Sequence, residues 1–210
     1  MGYLGAMSIA GNMPALLLVG PTGSGKSPLG AMLEKRTGWV HFDFGHELRA
    51  VVRGAADHGL TDEEVEYVSG LISRHELFPD EAFPIVKKIV GSFVKKNGGA
   101  PGVILNGLPR HLGQARDIAD LVEVKKVAVL NCTPREAAAR VARRSMGLTG
   151  DHFGRPDDTH EAVLKKLGTF ANETVPMIEH YRSAGTNIID VIVESGTTEA
   201  GIASQILEWF

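Results

Sequence analysis

The chain has 210 residues, of which 43% are hydrophobic and 22% are charged, and its formal net charge is −3. This length and composition suit a single globular α/β domain. The slightly negative charge argues against a general nucleic-acid-binding or membrane-binding surface. The single cysteine, Cys132, cannot form an intrachain disulfide, and we expect a reducing, cytoplasmic location.

The first segment, 1–12, is small and mildly apolar and has no basic region. We expect it to be a disordered or vector-derived lead-in and not a signal peptide. The remaining residues, 13–210, are then predicted to form one domain.

The most informative stretch is 20–27, which reads G-P-T-G-S-G-K-S and matches the phosphate-binding pattern G-x-x-x-x-G-K-S. Glycines let the backbone turn its N–H groups toward an anion, and the helix that follows adds its positive end. In this pattern the lysine reaches the β- and γ-phosphates of a nucleotide, and the serine hydroxyl binds Mg²⁺. The predicted phosphate site comprises Gly20, Thr22, Gly23, Ser24, Gly25, Lys26, Ser27 and Pro28, with Ser27 as the metal ligand.

Strands and helices alternate along the chain. Apolar runs of strand length predict strands at 15–19, 39–43, 103–105, 126–130 and 187–191, and residues at helical spacing lie between them. Such alternation predicts a P-loop three-layer α/β/α fold with a five-stranded parallel sheet.

Two excursions depart from this alternation. The helical segment at about 44–97, between the second and third strands, is predicted to be an inserted lobe that binds a substrate. Within it, Thr61 begins a capping box and Asp80 is expected to cap the next helix. The Gly-rich, Arg-flanked segment at about 145–156 is predicted to be a short lid, and a long helix is expected to follow from 158 to 181.

Arginines at the ends of elements indicate what the bound phosphate is used for. Phosphoryl transfer requires two phosphates to be held in line and their charge to be offset. Arg suits this task because its planar guanidinium donates two hydrogen bonds to phosphate oxygens. The candidates beside the predicted cleft are Arg49, Arg110, Arg140, Arg144 and Arg155.

Three further motifs resemble those of the adenylate kinases and related nucleoside monophosphate kinases, and the resemblance extends from about residue 15 to the C-terminus. Segment 103–115, V-I-L-N-G-L-P-R-H-L-G-Q-A, is similar to the family's apolar strand followed by D-G-F-P-R-x-x-x-Q-A. Segment 76–81, E-L-F-P-D-E, resembles its L-V-P-D-E. Segment 154–158, G-R-P-D-D, resembles the G-R-x-D-D at the end of its short lid.

The resemblance implies transfer of the γ-phosphoryl group of MgATP to a nucleoside monophosphate, with AMP favoured. ATP and Mg²⁺ are the implied cofactors, and a monomer without nucleic-acid or membrane partners is expected. The implied catalytic residues are Lys26, Arg110, Arg144, Arg155 and Lys166. The implied acceptor site comprises Phe44, Arg49, Phe78, Gly107, Arg110 and Gln114, with Gln114 reading the base.

Two further roles follow from the same resemblance. Arg140 is implied to stack on the donor adenine, and Asp157 is implied to help the lid to close. Asp157 and Asp158 also fit a helix cap.

Three residues depart from the family's pattern. Asn106 stands where the family usually has an Asp that orients Mg²⁺ through water, and Asp43, at the neighbouring strand end, is a candidate substitute. Phe44 replaces a Thr that faces the adenine, and Lys166 replaces an Arg.

These departures leave two alternatives open. The first is a family member that binds nucleotides with little or no turnover, in which Asn106→Asp is expected to raise activity. The second is a P-loop kinase for a small non-nucleotide metabolite.

Overall fold

The structure is a computed structural model of the chain, and it describes residues 12–148 and 158–210. Most of the predicted lead-in and of the predicted lid, together with Arg155 and Asp157, lie outside the described residues. Within the two described ranges, no helix combines the length and apolar character that crossing a bilayer requires.

The described residues form a five-stranded parallel sheet with strand order β2-β3-β1-β4-β5. This arrangement confirms the predicted sheet, although β4 begins earlier than its apolar core suggested because its first half is partly exposed. The strands are β1 Met13–Val19, β2 Val40–Asp43, β3 Val103–Asn106, β4 Val122–Asn131 and β5 Asn187–Ile192.

Helices cover both faces of the sheet. They are α1 Lys26–Thr37, α2 Phe44–Val52, α3 Asp62–Ser73, α4 Phe83–Lys96, α5 Leu112–Asp117, α6 Pro134–Ser145, α7 His160–Thr169, α8 Val175–Ser183 and α9 Glu199–Leu207. Short 3₁₀ turns lie at Asp80–Ala82 and Ile118–Asp120, and a π-helical turn lies at Phe170–Thr174.

The central strand β1 feeds two separate hydrophobic cores. Leu17 and Val19 pack into the cluster that contains α3, α4 and α8, whereas Leu16 and Leu18 pack into the cluster that contains α1 and α9. This split follows from the geometry of a strand, because successive side chains project to opposite faces. A fully buried strand of this kind accounts for the uninterrupted apolar run in the sequence.

Local capping rules hold at some helix ends and fail at others. Thr61 and Glu64 form the predicted capping box at the start of α3. Asp80, however, does not cap a helix, because a 3₁₀ turn separates it from α4. Its carboxylate instead lies 3.5 Å from Nδ1 of His111. The prediction for Asp80 was therefore wrong, since a contact with a distant element replaced the local one.

The long helix predicted from 158 to 181 is interrupted. Helices α7 and α8 are joined by the π-helical turn, and Thr174, at the end of that turn, donates a hydrogen bond of 2.8 Å to the backbone carbonyl of Arg110. Turns of this kind are often found at functional sites. Apolar spacing alone does not reveal such a turn, since both flanking helices continue the apolar pattern.

Replacing Leu105 by Ala is expected to destabilise the protein by about 2–5 kcal/mol, because this β3 side chain is fully buried in the core. Urea unfolding followed by circular dichroism measures the loss. The matched change Leu164→Ala, at a helix position that is 55% exposed, is expected to alter the unfolding midpoint little. Equal losses in the two variants would contradict the assigned core.

Candidate active site

The loop between β1 and α1 has a backbone that only glycine accommodates. Gly23 and Gly25 adopt φ values of +81° and +90°, in the left-handed region. A Cβ on Gly23 would lie 2.5 Å from the carbonyl oxygen of Ala137, so α6 also excludes a side chain there. Gly25 is the N-cap of α1, and the first amides of that helix therefore border the loop.

The loop surrounds the ammonium group of Lys26. The Lys26 Nζ donates to the carbonyl oxygens of Gly20 and Pro21, each at 2.7 Å, and approaches Oγ of Ser24 at 3.2 Å. Ser24 is fully buried, and its hydroxyl donates to the carbonyl of Pro21. These contacts hold the cation at the centre of the loop.

A cleft beside this loop brings together most of the predicted site residues. Its wall contains cations from five places in the chain, namely the P-loop, α2, the β3–α5 loop, α6 and α7. These cations are Lys26, Arg49, Arg110, Arg144 and Lys166, and the predicted residues Gly20, Thr22, Gly23, Gly25, Ser27 and Gly107 line the same cleft. Such a concentration of positive groups and loop amides suits a ligand with several phosphates.

Arg144 is buried in this wall and is paired with Asp158. Its Nε and Nη2 donate to the two carboxylate oxygens of Asp158 at 2.9 and 2.5 Å, and both side chains are nearly inaccessible to solvent. Helix α7 is capped by Thr159 instead. The prediction that Asp158 caps a helix was therefore wrong, since its carboxylate accepts hydrogen bonds from the buried Arg144.

Arg110 is held by its backbone as well as by its side chain. Its N–H donates to Oε1 of Gln114 at 2.9 Å, and its carbonyl accepts the hydroxyl of Thr174 at 2.8 Å. Its Nε donates to the carbonyl of Gly107 at 2.8 Å. These contacts fix the direction from which the guanidinium enters the cleft.

Three residues of the predicted acceptor site are not among those that line the cleft. Phe44, Phe78 and Gln114 are all buried, and the rings of Phe44 and Phe78 pack at 5.5 Å. The Nε2 of Gln114 donates to the carbonyl of Phe78 at 3.0 Å, and Nε2–H of His111 donates to the same carbonyl at 2.9 Å. The orientation of the Gln114 amide is therefore set by backbone partners.

Arg140 and Pro28 lie outside the residues that line the cleft. The Nε of Arg140 donates to the carbonyl of Gly23 at 3.0 Å, and its Nη2 lies 3.7 Å from the Glu199 carboxylate. Arg140 thus connects the phosphate-binding loop to α9. Pro28 lies in the first turn of α1.

Cys132 follows β4 and is partly buried. Burial raises the pKa of its thiol above the usual value. The group therefore remains a neutral thiol at pH 7, which argues against a nucleophilic role.

A cluster of oxygen groups lies where β2, β3 and α1 meet. The hydroxyl of Ser27 donates to Oδ2 of Asp43 at 2.5 Å, and the amide of Asn106 donates to the same oxygen at 2.8 Å. Hydroxyl and carboxylate oxygens are the ligands that Mg²⁺ prefers, directly or through water. The cluster therefore fits a nucleotide-bound magnesium ion.

A family model described as adenylate kinase matches residues 18–186 of the chain. The chain belongs to the adenylate kinase family. The match confirms the resemblance inferred from the motifs, and it includes the P-loop and the segments that carry Arg49, Arg110 and Arg144.

Individual members of the family are similar over most of their length. An adenylate kinase of Synechococcus sp. (strain RCC307) is 31% identical over 196 residues, which cover 91% of this chain and 95% of the relative. One from Natronomonas pharaonis is also 31% identical, with coverage of 83% and 87%. One from Corynebacterium glutamicum (strain R) is 28% identical, with coverage of 88% and 93%.

Two contacts in this site were not predicted from the sequence, one made by Asp158 and one made by Thr174. Asp158 was recognised only as part of a motif, and nothing in the sequence pairs it with Arg144. Thr174 carries no local signal at all, because its contact with Arg110 spans 64 positions of the chain.

Replacing Asp158 by Ala is expected to destabilise the protein by about 3–5 kcal/mol, because the change removes a buried carboxylate that accepts two hydrogen bonds from the buried Arg144 guanidinium. The measurement is urea unfolding at neutral pH. As a control, Asp190→Ala removes an exposed partner of Arg182, and the unfolding midpoint is expected to change little. Similar losses of unfolding free energy in both variants would show that the buried pair stabilises the fold no more than the exposed pair does.

Proposed function

We propose that this protein transfers the γ-phosphoryl group of MgATP to the phosphate of a nucleoside monophosphate, with AMP as the preferred acceptor. The observation that carries the proposal is the cleft in which the P-loop and the cations Arg49, Arg110, Arg144 and Lys166 border one space. Membership in the adenylate kinase family supports the same reaction.

The donor phosphates are bound by the P-loop in this proposal. Loop amides and the N-terminal amides of α1 donate to phosphate oxygens, and Lys26 exchanges the carbonyls of Gly20 and Pro21 for anionic oxygens. Because charged partners accept stronger hydrogen bonds than neutral carbonyls, this exchange favours the bound nucleotide.

The acceptor phosphate is bound by Arg49 and Arg110 from the opposite side. The attacking group is an oxygen of the acceptor's own phosphate, so no covalent enzyme intermediate is required. Arg144 and Lys166 offset the charge of the transferring group, although Lys166 lacks the fork of an arginine. Arg155 is assigned the same role by the family motif alone.

Gln114 is proposed to select adenine. A half-turn of its side-chain amide would break two hydrogen bonds, the one accepted from the N–H of Arg110 and the one donated to the carbonyl of Phe78. The amide oxygen and nitrogen each retain capacity for one more hydrogen bond. A fixed acceptor beside a fixed donor complements the adenine edge, whereas guanine presents O6 in place of the adenine N6 donor. Since Gln114 is buried, base reading requires the insert to move when the acceptor binds.

The magnesium ion is assigned to Ser27 and its neighbours. When bound there, the ion would supply positive charge that offsets the charge of the donor phosphates. Ser27 supplies a hydroxyl oxygen for it, and the oxygen groups around Ser27 suit its water shell. A cytoplasmic location and a monomeric state stay predictions.

Turnover with AMP is expected to exceed turnover with CMP, UMP, GMP and dAMP when each is offered with MgATP. A coupled assay of ADP release, with a blank that lacks acceptor, measures this order. Equal rates with AMP, CMP, UMP and GMP would contradict the role of Gln114. Silence across the panel, with ATP still bound, would favour the low-turnover or non-nucleotide alternative.

The variants Lys26→Ala and Arg110→Ala are each expected to lower kcat by more than about a hundredfold, because each removes a charge from the transferring phosphates. The same ADP-release assay measures the loss, and circular dichroism checks the fold. Lys35→Ala and Arg116→Ala, at exposed helix positions, are the matched controls and are expected to retain activity. Retained activity in either cleft variant would refute the role of that residue.

A further inference from the structure

We propose that Asp43, at the end of β2, is the carboxylate that orients the Mg²⁺ of the bound nucleotide. The family resemblance assigns this task to an Asp at the end of β3, where this chain has Asn106. In this protein the carboxylate lies instead at the end of the neighbouring strand, β2. The inference rests on the proposed function, because the metal concerned is that of the same reaction.

The sheet register explains why the two positions are interchangeable. Strands β2 and β3 are parallel, and Asp43 is the direct partner of Asn106 in their register. Residues paired in this way in neighbouring parallel strands project to the same face of the sheet. Their side chains accordingly meet, with the Asn106 amide nitrogen 2.8 Å from Oδ2 of Asp43. A carboxylate at either position lies next to Ser27.

The hydrogen-bond directions favour a metal ligand at Ser27. A carboxylate only accepts hydrogen bonds, so both the Ser27 hydroxyl and the Asn106 amide donate to Asp43. The amide of Asn106 also donates to Oγ of Ser27 at 3.1 Å. The serine proton is thereby directed at Asp43, and one lone pair of its oxygen stays available for a cation.

Asp43 divides its two oxygens between different tasks. Oδ1 accepts the backbone N–H of His46 at 2.9 Å and so caps α2, whereas Oδ2 is the oxygen that faces Ser27. The cap fixes the carboxylate plane, and this orients Oδ2 toward the metal site. An asparagine serves equally well as an N-cap, so the cap by itself does not account for a carboxylate at this position.

This arrangement reverses the expectation for Asn106→Asp. The single change sets a second carboxylate beside Asp43 and removes the amide hydrogens that now bind it. Two like charges at this separation disfavour each other. Because Asp43 already supplies the carboxylate and the change removes the amide that positions it, the variant is expected to gain no activity.

The test measures how much Mg²⁺ tightens nucleotide binding. Calorimetry with the non-hydrolysable ATP analogue AMP-PNP gives one dissociation constant with excess Mg²⁺ and another with EDTA, and their ratio is the metal dependence. Asp43→Asn is expected to reduce this ratio by about tenfold to a hundredfold, the loss typical of one charged hydrogen-bond partner. The constant measured in EDTA is expected to change little. Asp190→Asn, which removes a carboxylate outside the cleft lining, is the matched control.

The double variant Asp43→Asn/Asn106→Asp separates a metal role from a structural one. Its new asparagine can cap α2 with its oxygen and donate its NH₂ to the new aspartate, so the same partners are satisfied. The ratio is expected to return to within about threefold of the wild-type value. A ratio unchanged in Asp43→Asn, or not restored in the double variant, overturns the proposal. Absence of AMP-PNP binding to the wild-type protein would instead count against the proposed function.

Discussion

Positive charge gathered around a loop that binds phosphate is the constraint on which the rest of the site depends. Lys26, Arg49, Arg110, Arg144 and Lys166 line one cleft, so their positive charges repel one another. The protein offsets part of this repulsion internally, because Asp158 neutralises Arg144 and loop carbonyls hold Lys26. The same contacts keep these two cations in fixed positions, which reduces the ordering cost when a polyanion binds.

The edge of the sheet beside Ser27 carries the carboxylate of Asp43 and the neutral amide of Asn106. The carboxyl ends of β1, β2 and β3 reach the same edge of the sheet, and Asn106 pairs with Asp43 on one side and with Leu18 on the other. The Asp43 carboxylate accepts the hydrogen bond of the Ser27 hydroxyl at this edge. Asn106 retains the shape of an acid there and supplies hydrogen atoms, which hold the neighbouring carboxylate in place.

Gln114, the predicted base-reading residue, and Arg110, a cation of the cleft, share one hydrogen-bond network. The amide of Gln114 bonds to the backbone of Arg110 through its oxygen and to the carbonyl of Phe78 through its nitrogen. Thr174 holds Arg110 from the other side. In the proposed function, a base that fits Gln114 would therefore stabilise the backbone that presents the Arg110 guanidinium, which provides a physical route from base identity to the geometry of the cleft.

The sequence by itself determined the phosphate-binding loop, the strand and helix alternation, the parallel sheet and the family, because each depends on residues close together in the chain or on spaced motifs. Tertiary structure decided which groups meet. Ser27 and Asn106 are 79 positions apart in the chain. Between Arg144 and Asp158, the apolar residues of the sequence follow neither helical nor strand periodicity. Their pairing depends on strand order and on how helices pack over the sheet, which local propensities do not encode. For the same reason, the burial of Gln114 and the contact of Thr174 with Arg110 emerged only from the folded chain.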